Sequence, residues 1–172
     1  PRINAGGRVG RCSHGANLLL NSNPKEVFKL ATELNHYNKE RQILENDLLK
    51  KILAGINKNL EDPVLVLQGE NWHEGIIGII AARLKEKFNK PTIVISINGN
   101  IGKASARSII GFDIGSVIIA ATQEKILIKG GGHKMAGGFS IKVSNIENFK
   151  KFIFRKFKNL NEDLIKQRPL WI

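Results

Sequence analysis

An eleven-residue run, Lys129-Gly-Gly-Gly-His-Lys-Met-Ala-Gly-Gly-Phe139, restricts this chain more than any other stretch, because five of its positions are glycine. Glycine that dense gives up conformational entropy and adds nothing to a core. It is kept where backbone must turn sharply or come very close to something. Lys129, His133 and Lys134 lie beside these amides, so a cradle for an anionic oxygen, above all phosphate, is one outcome. In that case Gly131 and Gly132 supply the backbone that faces the anion. A tight turn between two elements, with His133 packed, is the other. The run by itself leaves both open.

Around it the apolar pattern alternates between strand and helix lengths. Val64–Leu67, Thr92–Ile97 and Ile101–Ser108 read as strands, and Phe139–Val143 as one more with a wet face. Ile76–Phe88 is apolar nearly all round and reads as a buried helix, with Gly78 allowing close packing on a sheet. Asp113 can cap a helix carrying Ile114, Val117, Ile118 and Ala121. Ser144-Asn-Ile-Glu147 is a capping box that opens an amphipathic helix with Phe149, Phe152 and Ile153 inward. The sum is an α/β domain, a mixed sheet of four or five strands with about three flanking helices.

A long connector helix precedes that domain. Asn23 and Pro24 form a helix start, and helical spacing continues to about Asn57, roughly 50 Å. Asn38 and Arg41 interrupt the apolar stripe, which leaves two shorter helices broken near His36–Asn38 as the alternative. Asn4–Arg11 reads as a glycine-rich loop, and Asn159–Ile172 shows no period, with Trp171 near its end. The expected division is residues 1–23 as the tail of a preceding domain, 24–60 as connector, 61–160 as the main domain and 161–172 as the start of a further link.

Charge narrows the partners. The net charge is +12, but Lys, Ile and Asn make up about a third of the chain, so part of that excess is general composition. Position says more. Residues 1–23 hold three arginines and no acid, residues 141–172 hold eight basic and three acidic groups, and the middle is nearly balanced. Basicity at the two ends favours nucleic acid over a membrane surface. No apolar run approaches the length of a membrane span. A single cysteine, Cys12, excludes an internal disulfide and fits a reducing, cytoplasmic setting.

The strongest local geometry is Lys103-Ala-Ser-Ala-Arg-Ser108. In a strand, alternate side chains share a face, so Lys103, Ser105 and Arg107 project together while Ala104 and Ala106 face the core. Ammonium, hydroxyl and guanidinium in a row suit a phosphate; a solvated strand face is the plainer alternative. Trp72-His73-Glu74 stands where the buried helix begins; closing the core over the first strand is the favoured role for Trp72, and His73 stays undecided. His14 and His36 lie in polar surroundings and are given no role. The acids are scattered, with no Asp-x-Asp, His-Glu-x-x-His or His-His-Asp cluster, and no residue is expected as a metal ligand.

Four motifs, in their order along the chain, resemble the RecJ-type single-strand-specific DNA exonucleases of the DHH phosphoesterase superfamily. They are Ile3-Asn-Ala-Gly-Gly-Arg8, Trp72-His-Glu-Gly-Ile-Ile-Gly78 continuing to Arg83-Leu84, Ala104-Ser-Ala-Arg-Ser108, and Gly130-Gly-Gly-His133 followed by Ala136-Gly137. Departures from the family pattern are Gly6 where alanine is common, Arg11 near a place often acidic, and Ala136-Gly-Gly138 where the motif usually closes with Ala-Ala-Gly. Arg11 removes a charge partner.

The resemblance implies the second half of such a nuclease's core, a DHH-associated domain behind a long helix. Mn²⁺ or Mg²⁺ would be bound by an N-terminal domain outside this chain. Arg8, Ser105 and Arg107 would grip the 5′ phosphate, with Asn4, His73, Lys103, Gly131 and Gly132 in the same DNA-binding set. His133 would be the catalytic residue, and the glycine run one wall of the cleft. The implied function is the substrate-binding half of a 5′→3′ single-stranded DNA exonuclease in repair and recombination, inactive alone, with single-stranded DNA and single-strand-binding protein as partners. An oligoribonuclease or small-substrate phosphodiesterase of the same superfamily, and a non-catalytic nucleic-acid-binding remnant, stand as alternatives.

Overall fold

A computed structural model describes residues 1–166 of the chain. They form two compact units: Pro1–Gly55 with His73–Ile76, and Ile56–Trp72 with the residues from Ile77 onward.

The first unit is helical: α1 (Arg2–Val9), α2 (Ser13–Leu20) and α3 (Pro24–Gly55). The loop expected over Asn4–Arg11 is therefore mostly helix. No side-chain cap or favourable propensity builds α1; packing does. Ala5 is fully buried, and a Cβ on Gly6 would stand 2.6 Å from the Arg11 carbonyl oxygen and 3.2 Å from Leu34. Tertiary burial has overridden a glycine-rich local sequence. The continuous helix α3 starts where Asn23 Oδ1 accepts the Lys25 N–H at 3.0 Å. It does not break at its polar positions, because they satisfy one another. Arg41 donates to Asn38 Oδ1 through Nε and Nη2 at 3.3 and 3.2 Å, and to buried Glu45 through Nη1. His14, assigned polar surroundings, is instead buried, with Nδ1 3.2 Å from Glu33 and its ring beside Tyr37.

The second unit is built on a five-stranded sheet in the order β1-β2-β3-β5-β4. The strands are β1 (Leu65–Glu70), β2 (Thr92–Asn98), β3 (Ile101–Arg107), β4 (Lys129–His133) and β5 (Ala136–Lys142). Only β1 and β2 run parallel, joined through α4 (Glu74–Phe88) as a parallel pair requires; every other pairing is antiparallel. Helices α5 (Ile114–Gln123) and α6 (Ile146–Lys166) cover one face. There Ile93, Ile95, Ala104, Ala106, Phe139 and Ile141 form one core with Ile118, Phe149 and Ile153. Helix α4 lies on the other face, where Gly78 comes against Ser105 and Arg107. Trp72 is half-buried, its indole lying so close over Gly69 of β1 that a Cβ there would be 2.2 Å from the ring.

Three expectations change. The glycine run is neither a bare turn nor a loop: it is a hairpin, β4 and β5, with Lys134 and Met135 at the tip, and β5 begins three residues before Phe139. The capping box gives way to a 3-10 turn, Val143–Asn145, in which Asn145 Nδ2 donates to the Ile126 carbonyl. Helix α6 runs through to Lys166 although Asn159 onward showed no apolar period. Trp171 and the end of the expected link, residues 167–172, lie outside the described residues.

Candidate nucleic-acid-binding site

Directly paired residues on neighbouring strands share a face, and residues two apart along a strand share it too. The registers of β3, β5 and β4 therefore set out a grid on the face opposite α5 and α6. Arg107 pairs with Ala136, and Ala136 with His133. Ser105 pairs with Gly138, and Gly138 with Gly131. Lys103 pairs with Ser140, and Ser140 with Lys129. The middle row has no side chains beyond the serine: a Cβ on Gly131 would meet nothing within 4 Å, and one on Gly138 only the Ala104 carbonyl oxygen at 3.4 Å. The result is a tray with a backbone floor, Arg107, Lys103 and Lys129 at three corners, His133 at the fourth, and no acidic residue in any of the three rows. Lys103, Lys129 and His133 are exposed, Ser105 and Arg107 half-buried.

The tray's corners are positioned by identifiable contacts. Arg107 Nη1 donates to Ser105 Oγ at 3.2 Å and to its neighbour's carbonyl, Ala106 O, at 2.7 Å, which holds the guanidinium beside the hydroxyl. Gly78 leaves the room this needs: a Cβ there would stand 3.0 Å from Ser105 Oγ and 3.2 Å from Arg107 Nη2. A half-buried guanidinium next to a hydroxyl is a phosphate fork that water screens less than it would an exposed one. At the other end of that row, the hairpin tip that carries His133 is held by three contacts. Gly115 of α5 lies against its backbone, where a Cβ would come 2.9 Å from His133 N, Cα and C. The Ile114 N–H donates to the Lys134 carbonyl at 3.3 Å and the Ser108 N–H to the Met135 carbonyl at 2.9 Å.

His133 Nδ1 accepts the Met135 N–H at 3.3 Å. An imidazole nitrogen that accepts carries no proton, so the neutral ring bears its proton on Nε2, a donor suited to a phosphate oxygen. Asp113 caps α5 by accepting the Ser116 N–H at 3.0 Å. That backbone hydrogen bond, aided by the nearby Lys134 charge, holds its carboxyl below the usual aspartate range.

Of the remaining sequence-derived residues, Asn4, Arg8 and His73 are in the first unit. Arg8 Nη1 donates to the Gly75 carbonyl at 3.2 Å, and His73 Nδ1 accepts the Gly75 N–H at 3.1 Å, so both address Gly75 at the start of α4. Asn4 lies one helical turn before Arg8 on α1 and is exposed. Gly132, expected beside Gly131 in the cradle, is on the opposite side of the hairpin. A Cβ on it would be 2.4 Å from the Ala136 oxygen, and Gly130 and Gly137 on that side press on Ile118. The wall expected of the glycine run is instead floor, since β5 lies between β3 and β4 in one sheet. Gly138 and Ser140 are additions to the sequence-derived set, and Lys129, named there only beside the glycine amides, joins them in the grid. The alternation of Phe139 and Ile141 inward puts Gly138 and Ser140 outward, but joining them to Lys103 and Ser105 needed the register.

A family model described as the DHHA1 domain matches residues 61–159. The single-stranded-DNA-specific exonuclease RecJ of Bacillus subtilis is 31% identical over 153 residues, which are 87% of this chain and 19% of that protein. The RecJ of Haemophilus influenzae is 33% identical over 180 residues, 99% of this chain and 31% of that protein. The chain thus spans less than a third of the length of these curated relatives. Among solved structures, RecJ from Thermus thermophilus in complex with Mg²⁺ superimposes with a TM-score of 0.83 at 31% identity, covering 92% of this chain and 24% of that one. The same protein in complex with Mn²⁺ gives 0.83 at 30%.

Proposed function

Because this chain belongs to the DHHA1 domain family and is similar over most of its length to RecJ exonucleases, we propose that it is the strand-holding part of a 5′→3′ single-stranded DNA exonuclease. The observation that carries the reading is the tray: Arg107 and Ser105 side by side at a glycine floor, with His133 in the same corner row as Arg107. Arg107 and Ser105 grip the terminal 5′ phosphate, the guanidinium giving two parallel N–H donors and the hydroxyl a third. His133 donates Nε2–H to the next oxygen and keeps the reacting end aligned. In the first unit, Asn4, Arg8 and His73 are proposed as strand contacts of that unit's own.

Among the described residues no group of three or more His, Cys, Asp or Glu could hold a metal ion, so the donor set here does not fit a phosphodiesterase metal centre. The Mn²⁺ or Mg²⁺ belongs, in this reading, to a domain outside the chain, and the chain alone binds without cutting. A place in DNA repair and recombination in the cytoplasm, beside single-strand-binding protein, forms part of the same proposal. No described helix is long and apolar enough to cross a membrane.

The test is end-dependence. Binding of a short single strand carrying a 5′ phosphate, and of the same strand with a 5′ hydroxyl, is measured by fluorescence anisotropy on the wild type and Arg107→Ala. Losing charge-assisted hydrogen bonds of about 1.5–3 kcal/mol weakens the phosphorylated strand roughly ten- to a hundredfold, and the hydroxyl strand far less. Equal losses on both strands remove the terminal-phosphate role.

A further inference from the structure

Past Arg107, at the end of the tray, lies a cavity with no part in the reading so far. Helix α4 passes Ser105 and Arg107 at Gly78. Further along, Lys85, Glu86 and Asn89 line the cavity together with Ile109, Ile110 and Met135. Its volume of about 530 Å³ falls within the roughly 300–1,000 Å³ usual for small-molecule sites.

The apolar part of this lining is fixed in place and left uncovered. The Ser108 N–H donates to the Met135 carbonyl at 2.9 Å, and the Phe112 N–H donates to the Ile109 carbonyl at 3.3 Å. Ser108 Oγ donates to the Phe112 carbonyl at 2.6 Å, and Gly111 supplies the left-handed φ of +94° that closes the turn. A loop tied down in this way still leaves Ile110 93% exposed, with Met135 beside it 39% exposed. Ile109 is half-buried.

The row that ends at the cavity selects its occupant. Arg107 and His133 are both paired with Ala136, so they stand two strand spacings apart, about 9.6 Å. With the terminal phosphate at Arg107 and the reacting end at His133, the terminal nucleoside lies over Ala136, the chain neighbour of Met135. Its base then has two directions. Over the floor it meets Gly138 and Gly131, which have no side chain to cover a ring. Off the end of the sheet it meets a thioether and two branched side chains. A thioether packs well against an aromatic ring, and this direction takes more apolar surface out of water.

We infer that the cavity lined by Ile109, Ile110 and Met135 receives the base of the 5′-terminal nucleotide. This rests on the reading of Arg107 and Ser105 as the terminal-phosphate contact. The apolar side chains grip the faces of a ring, which every base has, so the subsite favours a terminal nucleotide with a base over one without, whichever base it is.

The experiment measures, by fluorescence anisotropy, binding of the chain to a short 5′-phosphorylated oligothymidylate and to the same strand with a tetrahydrofuran abasic residue at its first position. On the wild type the abasic strand binds about fivefold more weakly. Ile110→Ser, a change at a solvent-exposed position, reduces that penalty, and Ile110→Ser with Met135→Gln brings it below about twofold by weakening the thymidine strand. Arg107→Ala weakens both strands alike, roughly tenfold, which tests the earlier reading separately. An abasic strand bound as tightly as the thymidine strand, or a penalty undiminished in both cavity variants, overturns the base subsite and leaves the terminal-phosphate contact intact. Indifference of both strands to Arg107→Ala overturns the phosphate contact; an abasic penalty that is then still lost with Ile110 and Met135 supports the cavity as a base site in its own right.

Discussion

Gly130 and Gly137 have Ile118 of α5 pressed against the place where a side chain would be, and Gly132 has its own hairpin's backbone there. Gly131, between Gly130 and Gly132, has nothing within 4 Å. One hairpin therefore holds glycines of two kinds, on opposite sides of the same pleat. Those on the helix side have no room for a side chain, and those on the open side have room that, in the proposed function, a ligand uses. A glycine-rich motif cannot be assigned a role as a unit; each position takes its meaning from what its missing Cβ would have met.

Substitutions on the two sides test the distinction, and the helix side gives the larger response. Gly132→Ala forces a methyl to within 2.4 Å of the Ala136 oxygen. Backbone must shift, at a cost of about 3 kcal/mol, which lowers the melting temperature by about 6–12 °C in calorimetry. If the melting temperature holds, the close approach is not structural. Gly131→Leu does the reverse. Its side chain rises into open space, so stability stays within about 0.5 kcal/mol, while occupation of the floor weakens binding of a 5′-phosphorylated strand roughly tenfold. A folded Gly131→Leu protein with wild-type affinity would break the comparison.

The smallest effect concerns the helix that supports the hairpin's tip. Asp113→Ala removes the α5 cap at a cost of about 1 kcal/mol near neutral pH. The carboxyl's pKa is lowered in the folded protein. The stabilisation is therefore complete above the ordinary aspartate value and disappears as pH falls through the lowered one. Melting curves of the wild type and Asp113→Ala should separate at neutral pH and converge in strong acid. A constant difference would mean that the charge has no part in the cap.

The sequence made the second unit legible because its periods are clean. Ile76–Phe88 and Ile114–Ala121 show helices, Thr92–Ile97 a buried strand, and Lys103-Ala-Ser-Ala-Arg107 a strand whose two faces differ in chemistry. Arg107 and Ser105 were legible for the same reason, since alternation within one strand is a local property. The tray was not. It depends on β5 inserting between β3 and β4, and no local pattern announces that order. Helix α1 escaped notice because two glycines lower its propensity and contacts distant in sequence, such as Leu34 against Gly6 and Gly15 against Ile3, make it worth forming. His14 was misjudged likewise: its neighbours in sequence are polar, but its neighbours in space are Glu33 and Tyr37.

β4 is the last strand of its sheet. An outermost strand is the part of a β protein that a foreign chain can dock onto and extend, and such growth depends on side chains that interlock between layers. Three consecutive glycines bring none, and β4 is only five residues long with Lys129 at one end and His133 at the other. The bareness that leaves the tray open also makes this border a poor template for a strand of protein.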